Sequence, residues 1–224
     1  MERHRFEEEL QELKQRLLTM GALVEERAHR AVRALIDRRL DEAEAVIAAD
    51  QEVNDLQIEI DDRCLKLLAL QQPMASDLRL ITAAIKINSD LERIGDQAVN
   101  VAQNTLKILP YPPLKPVIDI PRMAQIAEGM TRDALDSFVS RDAALARLVL
   151  QRDDEVDRCK DQVFRVLLTH MMADPGTIQR ALPLILISRN LERIADHATN
   201  IAEDVIFLVE AKDVRHHHEE TTKP

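Results

Sequence analysis

The chain has 224 residues, 46% of them apolar and 31% charged, which fits a folded globular chain rather than a disordered one. Forty acidic against thirty basic residues give a formal net charge of −10, and only four Phe, one Tyr and no Trp are present. That balance argues against a nucleic-acid partner, because phosphate neutralisation needs clustered Lys and Arg and base stacking needs aromatic faces.

The first ten residues, MERHRFEEEL, lack the apolar stretch of a secretory signal. From there Phe6, Leu10, Leu13, Leu17 and Met20 recur at three and four residues, predicting an amphipathic helix that extends through Leu35 and Ile36. A second helical run carries Val46, Ile47, Val53, Leu56, Ile60, Leu67 and Leu68, and a third carries Leu78, Ile81, Ile85, Leu91, Ile94, Val101 and Leu106. Five of the nine prolines then fall between Pro110 and Pro121, where lost backbone donors forbid a continuing helix and predict a linker.

Beyond the linker the pattern repeats. LERIGDQAVNVA at 91–102 aligns with LERIADHATNIA at 191–202, with eight of twelve positions identical at an offset of 100. Upstream the offset is 103, pairing Met20 with Met123, Glu25 with Glu128, Arg38 with Arg141, and Asp50, Glu52 and Val53 with Asp153, Glu155 and Val156. A turn near Pro73 and Pro175 is expected to absorb the difference. Asp174-Pro175 resembles a helix N-cap with proline at the first helical position, and Pro183, farther in, is expected to kink the sixth helix. The expected fold is all-α: two pseudo-symmetric three-helix bundles, six long helices, up-down-up in each half. The expected boundaries are 1–109 for the first repeat, 110–121 for the linker, 122–210 for the second repeat and 211–224 for a C-terminal tail.

Glu92-x-x-x-Asp96 and its copy Glu192-x-x-x-Asp196 put two carboxylates on one helix face, with Cβ atoms roughly 5–6 Å apart. Such a pair repels itself unless a cation lies between, and oxygen donors suit hard and borderline metal ions. The middle helices add Asp50-x-x-x-Asn54 and Asp153-x-x-x-Asp157, so each half offers two polar pairs from different helices to a divalent or trivalent ion or a small cluster of ions. Asn100 and Asn200 extend the stripe by one turn. The plainer reading is a solvated face in which Arg93 pairs with Asp96 and Arg193 with Asp196, for roughly 0.2–0.5 kcal/mol each. Recurrence in both halves favours metal, although common descent of the halves also explains identity.

Other residues carry less. Cys64 and Cys159 are isolated, and together with the absent signal they suggest a reducing cytoplasm and buried core positions. His197 faces Gln97 in the other copy, which disfavours a shared ligand role. His170 reads as a core histidine, and His216, His217 and His218 as part of a mobile tail, with metal binding the alternative there. No catalytic constellation is identifiable from the spacing. A ferritin-like di-metal enzyme would need Glu-x-x-His, whereas Glu192 and His197 are five apart.

At QQPMASDLRL, SDLERIGDQAVNVA and NLERIADHATNIA the chain resembles the PhoU family, accessory regulators of bacterial phosphate uptake. The resemblance runs from MGALVEERAHRAV to VRHHH. It implies two three-helix bundles and multinuclear metal clusters, iron or zinc, held by E(D)xxxD motifs. Carried over residue by residue, these are Asp50, Glu92 and Asp96 in the first half and Asp153, Asp157, Glu192 and Asp196 in the second. Asn54 departs from the pattern, so the first site is expected to hold fewer or weaker-bound ions. The resemblance further implies a non-enzymatic negative regulator of phosphate uptake and of the phosphate-starvation response. Its partners would be the ATPase subunit of the phosphate transporter and a sensor histidine kinase. A cytoplasmic homodimer is expected, peripheral to membrane complexes through those partners and not itself inserted in the membrane. The rival readings are a carboxylate-bridged di-metal enzyme and a metal-free structural helical module.

Overall fold

A computed structural model describes residues 2–71, 73–114, 119–212 and 214 of the chain. The described residues form α1 (Glu2–Ile36), α2 (Leu40–Ala48), α3 (Asp50–Gln71), α4 (Ala75–Ile108), α5 (Ile120–Ser140), α6 (Ala143–Ala173) and α7 (Ile178–Glu210), with a single 3₁₀ turn at Pro175–Thr177 and no strand. The apolar spacing explains the burial. In α1, Leu10, Leu13, Leu17, Met20, Val24 and Ala28 all face inward, and α4 does the same with Leu80, Ile87, Leu91, Ile94 and Val101. Each fully buried Leu or Ile contributes on the order of 1.5–3 kcal/mol.

All six predicted helical runs are present, and the second is divided. Ala49 alone separates α2 from α3 and keeps right-handed helical backbone (φ −84°, ψ −1°). The break arises because Glu52 N–H bonds to Ala49 O at 3.2 Å, a three-residue closure in place of the four-residue one. It places Asp50 at the first position of α3, where a helix favours negative charge, whereas its counterpart Asp153 lies in the middle of the unbroken α6.

The three-residue difference between the halves is absorbed at the corner between the second and third helices. There α4 starts at Ala75, whose counterpart at the downstream offset of 100 is Pro175, the first residue of the 3₁₀ turn that leads into α7 at Ile178. Asp174 caps that turn, its Oδ1 accepting from Gly176 N–H at 2.9 Å, so the expected cap serves the approach to the sixth long helix and not its first turn. Helix α7 runs without interruption through Pro183. The repeat is legible in backbone conformation too: Arg38 and Arg141 both adopt left-handed backbone (φ 55° and 53°). Arg38 is further tied down, its Nη2 donating to Leu109 O at 2.7 Å and Tyr111 O at 2.6 Å.

The halves are not separate globules. Helices α4 and α7, the third helices of the two halves, pack along each other, α1 also packs on α5, and one contiguous apolar core runs through both bundles. Cys64 and Cys159 are free and buried, as expected, and burial pushes the Cys64 thiol up to about 12, which leaves it unreactive. His170 is half-buried at the end of α6 and not a core residue. The His216–His218 tract lies outside the described residues. No helix among those described is long and apolar enough to cross a membrane.

Candidate metal centre

The α4–α7 seam opens into a groove of ≈ 760 Å³. Glu92, Arg93, Asp96 and Gln97 line it from α4; Arg193, Asp196, His197, Thr199 and Asn200 line it from α7. Glu92, Asp96 and Asp196 therefore face one shared opening, whereas Glu192 lines a separate pocket beside Lys160. This follows from the sequence: Leu91, Ile94 and Ala98 of α4, and Leu191, Ile194 and Ala198 of α7, turn into the core and leave the acidic positions of the same turns on the groove side.

In the first half the structure brings Asp50 of α3 into the field of Glu92 and Asp96 of α4. Burial raises the Glu92 carboxyl above its ordinary range, and Asp96 and Asp50 add to the rise while Arg93 and His197 oppose it. Asp96 is raised by burial and by Asp50, against Arg93. Asn54 Nδ2 donates to Asp50 Oδ2 at 3.2 Å. Among the described residues neither Glu92 nor Asp96 forms an ion pair.

In the second half the like-charge crowding is greater. Asp153 is raised by burial and by Asp157, Asp154 and Glu192, with Lys160 opposing. Asp196 is pushed up to about 6, first by burial and then by Glu192, Asp153 and Asp157, with His197 opposing. All four predicted carboxylates of this half thus share one field. The cation among them is Lys160, whose Nζ lies 2.7 Å from Asp157 Oδ1 and 3.1 Å from Glu192 Oε1. The bond to Asp157, followed by the influence of Glu192, holds the ammonium firmly charged.

The expected local pairs Arg93–Asp96 and Arg193–Asp196 do not form ion pairs among the described residues. Three other features escape a reading of motifs. Lys160 is three residues from Asp157, a spacing visible in the sequence, but its second partner, Glu192, stands on another helix. Arg27 of α1 is almost fully buried, its side chain 4% exposed, and its Nη2 donates to Glu52 Oε2 at 2.9 Å. Its counterpart in the repeat is Met130, so the duplication gives no hint of it. His197 Nδ1 lies 2.8 Å from Asp90 Oδ1, and Asn200 Nδ2 donates to the same oxygen at 3.2 Å, joining α7 to α4.

The donor chemistry suits a hard or borderline cation: carboxylate oxygens crowded until several protonate more readily than free Asp or Glu. Convergence is looser. Among the described residues no three His, Cys, Asp or Glu side chains close on one point.

The PhoU domain model matches residues 17–105 and again residues 120–205, one copy in each half. The chain belongs to the PhoU family. Family relatives include the phosphate-specific transport system accessory protein PhoU homolog of Aquifex aeolicus, 42% identical over 94% of this chain and 95% of that protein. The homolog of the same name from Pseudomonas aeruginosa is 43% identical over 94% of this chain and 88% of its own length. The PhoU crystal structure from Pseudomonas aeruginosa superposes with a TM-score of 0.88 at 42% identity, covering 92% of this chain and all of that one. A phosphate transport system regulatory protein PhoU from Streptococcus pneumoniae gives 0.86 at 31% identity, covering 93% and 99%. These PhoU relatives carry the names of accessory and regulatory proteins, not of enzymes.

Proposed function

We propose that this protein is a regulatory accessory of phosphate transport that restrains phosphate uptake and the phosphate-starvation response. In this reading it is a homodimeric, metal-bearing adaptor between the ATPase subunit of the transporter and a sensor histidine kinase, acting at the cytoplasmic face of the membrane through those partners. The observation that carries the regulatory role is the PhoU match in both halves, with relatives named as accessory proteins of a phosphate-specific transport system. The metal-bearing part rests on the carboxylate crowding, which a bound cation relieves.

Asp50, Glu92 and Asp96, with Asn54 beside them, would hold metal in the first half; Asp153, Asp157, Glu192 and Asp196 would hold it in the second. Iron and zinc are the ions proposed. A bound ion supplies charge neutralisation and a cross-tie between neighbouring helices. The chain's own residues do the rest. The apolar turns behind the acids keep α3 against α4 and α6 against α7. The packing of α4 on α7 would hold the two halves in a fixed relation, so that a partner would meet a fixed surface.

Elemental analysis of untagged protein, before and after incubation with iron or zinc, tests the metal. Glu92→Ala with Asp96→Ala is expected to empty the first half and leave the second loaded. Protein that stays metal-free after incubation overturns the metal-bearing part. The adaptor role is tested separately by co-purification with the transporter ATPase and the kinase from phosphate-rich and phosphate-poor cells, where failure to recover either partner counts against it.

A further inference from the structure

The two halves differ at the one turn where the repeat should supply a second carboxylate. Asn54 aligns with Asp157, and three residues on, at the same offset of 103, Gln57 aligns with Lys160. The first half therefore carries a neutral pair where the second carries an acid and a base, leaving the same formal charge on both clusters. The structure shows where the extra ammonium goes. Lys160 Nζ bridges Asp157 of its own helix and Glu192 of α7, two of the four carboxylates of that half. Among the described residues no ammonium or guanidinium bridges two carboxylates of the first-half cluster: Arg93 acts on Glu92 and Asp96 through its charge and forms no ion pair with either. Arg27 stands near Asp50, but its guanidinium donates to Glu52.

We propose that Lys160 is a tethered counter-cation of the second-half cluster, and that a divalent ion enters there only by displacing it. The halves are then unequal metal sites, the first binding more tightly. This rests on the metal reading above and reverses the ranking that Asn54 suggests from sequence. The physical reason is competition. An ammonium already within hydrogen-bond distance of two carboxylates neutralises part of the charge that attracts the ion, and its bonds must be broken before those oxygens are free. The Lys160 side chain is 29% exposed, so the displaced ammonium has a short path to solvent, and the second site is obstructed but not closed.

The test is calorimetric titration of untagged, full-length protein with Mn²⁺ alone. Wild-type protein is expected to show two classes of site, with the tighter class abolished by Glu92→Ala with Asp96→Ala. Lys160→Met is expected to strengthen the weaker class by at least about tenfold, whereas Lys160→Arg, which keeps the charge, leaves it weak. Because Lys160→Met leaves Asp157 unneutralised and risks misfolding, Asp157→Asn with Lys160→Gln copies the first-half turn into the second half at unchanged net charge. That variant is expected to bind Mn²⁺ at both sites with matched affinity. Two equal wild-type sites, or a weaker class indifferent to Lys160→Met, overturn the inference while leaving the metal reading intact. Absence of Mn²⁺ binding to wild type and to every variant overturns both.

Discussion

At Gly21 the middle of α1 runs so close to α5 that an added Cβ would overlap Leu135 Cδ1. Glycine normally weakens a helix by about 1 kcal/mol relative to alanine, so its place here reflects the close approach and not the local backbone. Leu135 is 5% exposed and has little room to move aside. Gly21→Ala is therefore expected to lower stability despite the helix-propensity gain, by about 1–2 kcal/mol in urea unfolding, as an overpacked core does. Leu135→Val in the same chain should recover part of the loss. A gain in stability for Gly21→Ala alone would contradict the packing. The same logic separates Lys160 from its sequence neighbours: only the α6–α7 approach shows which carboxylates its ammonium reaches.

At the scale of elements, the α6–α7 pair sets a pH dependence with a definite sign. Asp196 has a folded-state value of about 6, above an unfolded value of about 3.9. Between these the folded protein holds more protons than the unfolded one, so this contribution to stability is full below about pH 4 and is lost as pH rises through about 6. Glu92, Asp96 and Asp153 shift in the same direction. Asp41, held at about 2 chiefly by its hydrogen bond from Arg39, acts oppositely and is lost only as pH falls toward that value. A single variant isolates the cluster. In metal-free protein, Asp196→Asn is expected to melt above wild type at pH 7, with the advantage shrinking toward pH 4. The Asp196 carboxylate is only partly withdrawn from solvent, and screening there keeps the effect modest. An equal Tm difference at both pH values would remove Asp196 from the explanation.

At the scale of the whole molecule, the α4–α7 seam makes one cooperative body of two repeats. Asp90 of α4 is 15% exposed and receives both His197 and Asn200 of α7, and Lys86 Nζ reaches Asp204 Oδ1 across the same seam at 2.8 Å. Asp90→Ala removes the acceptor from half-buried His197 and exposed Asn200, a loss of about 1 kcal/mol. Calorimetry should show a lower Tm with a single transition retained, because the apolar core still runs through both halves. Two resolved transitions would mean that the polar contacts, and not the core, couple the repeats.

Much of this organisation is written in local order. Apolar residues at three- and four-residue spacing dictate helices wherever they fall, proline between Pro110 and Pro121 ends them, and a duplicated LERI block declares two copies of one unit. Those signals act between near neighbours in the chain, so the amino-acid order alone determined the helical class, the repeat and the acidic ladders. The seating of Lys160 between two helices, the burial of Arg27 and the joining of the ladders across α4 and α7 depend on side chains from 25 to over 100 residues apart. Only tertiary packing decided these, because spacing along one helix says which residues share a face and nothing about which charge from another helix will stand opposite it.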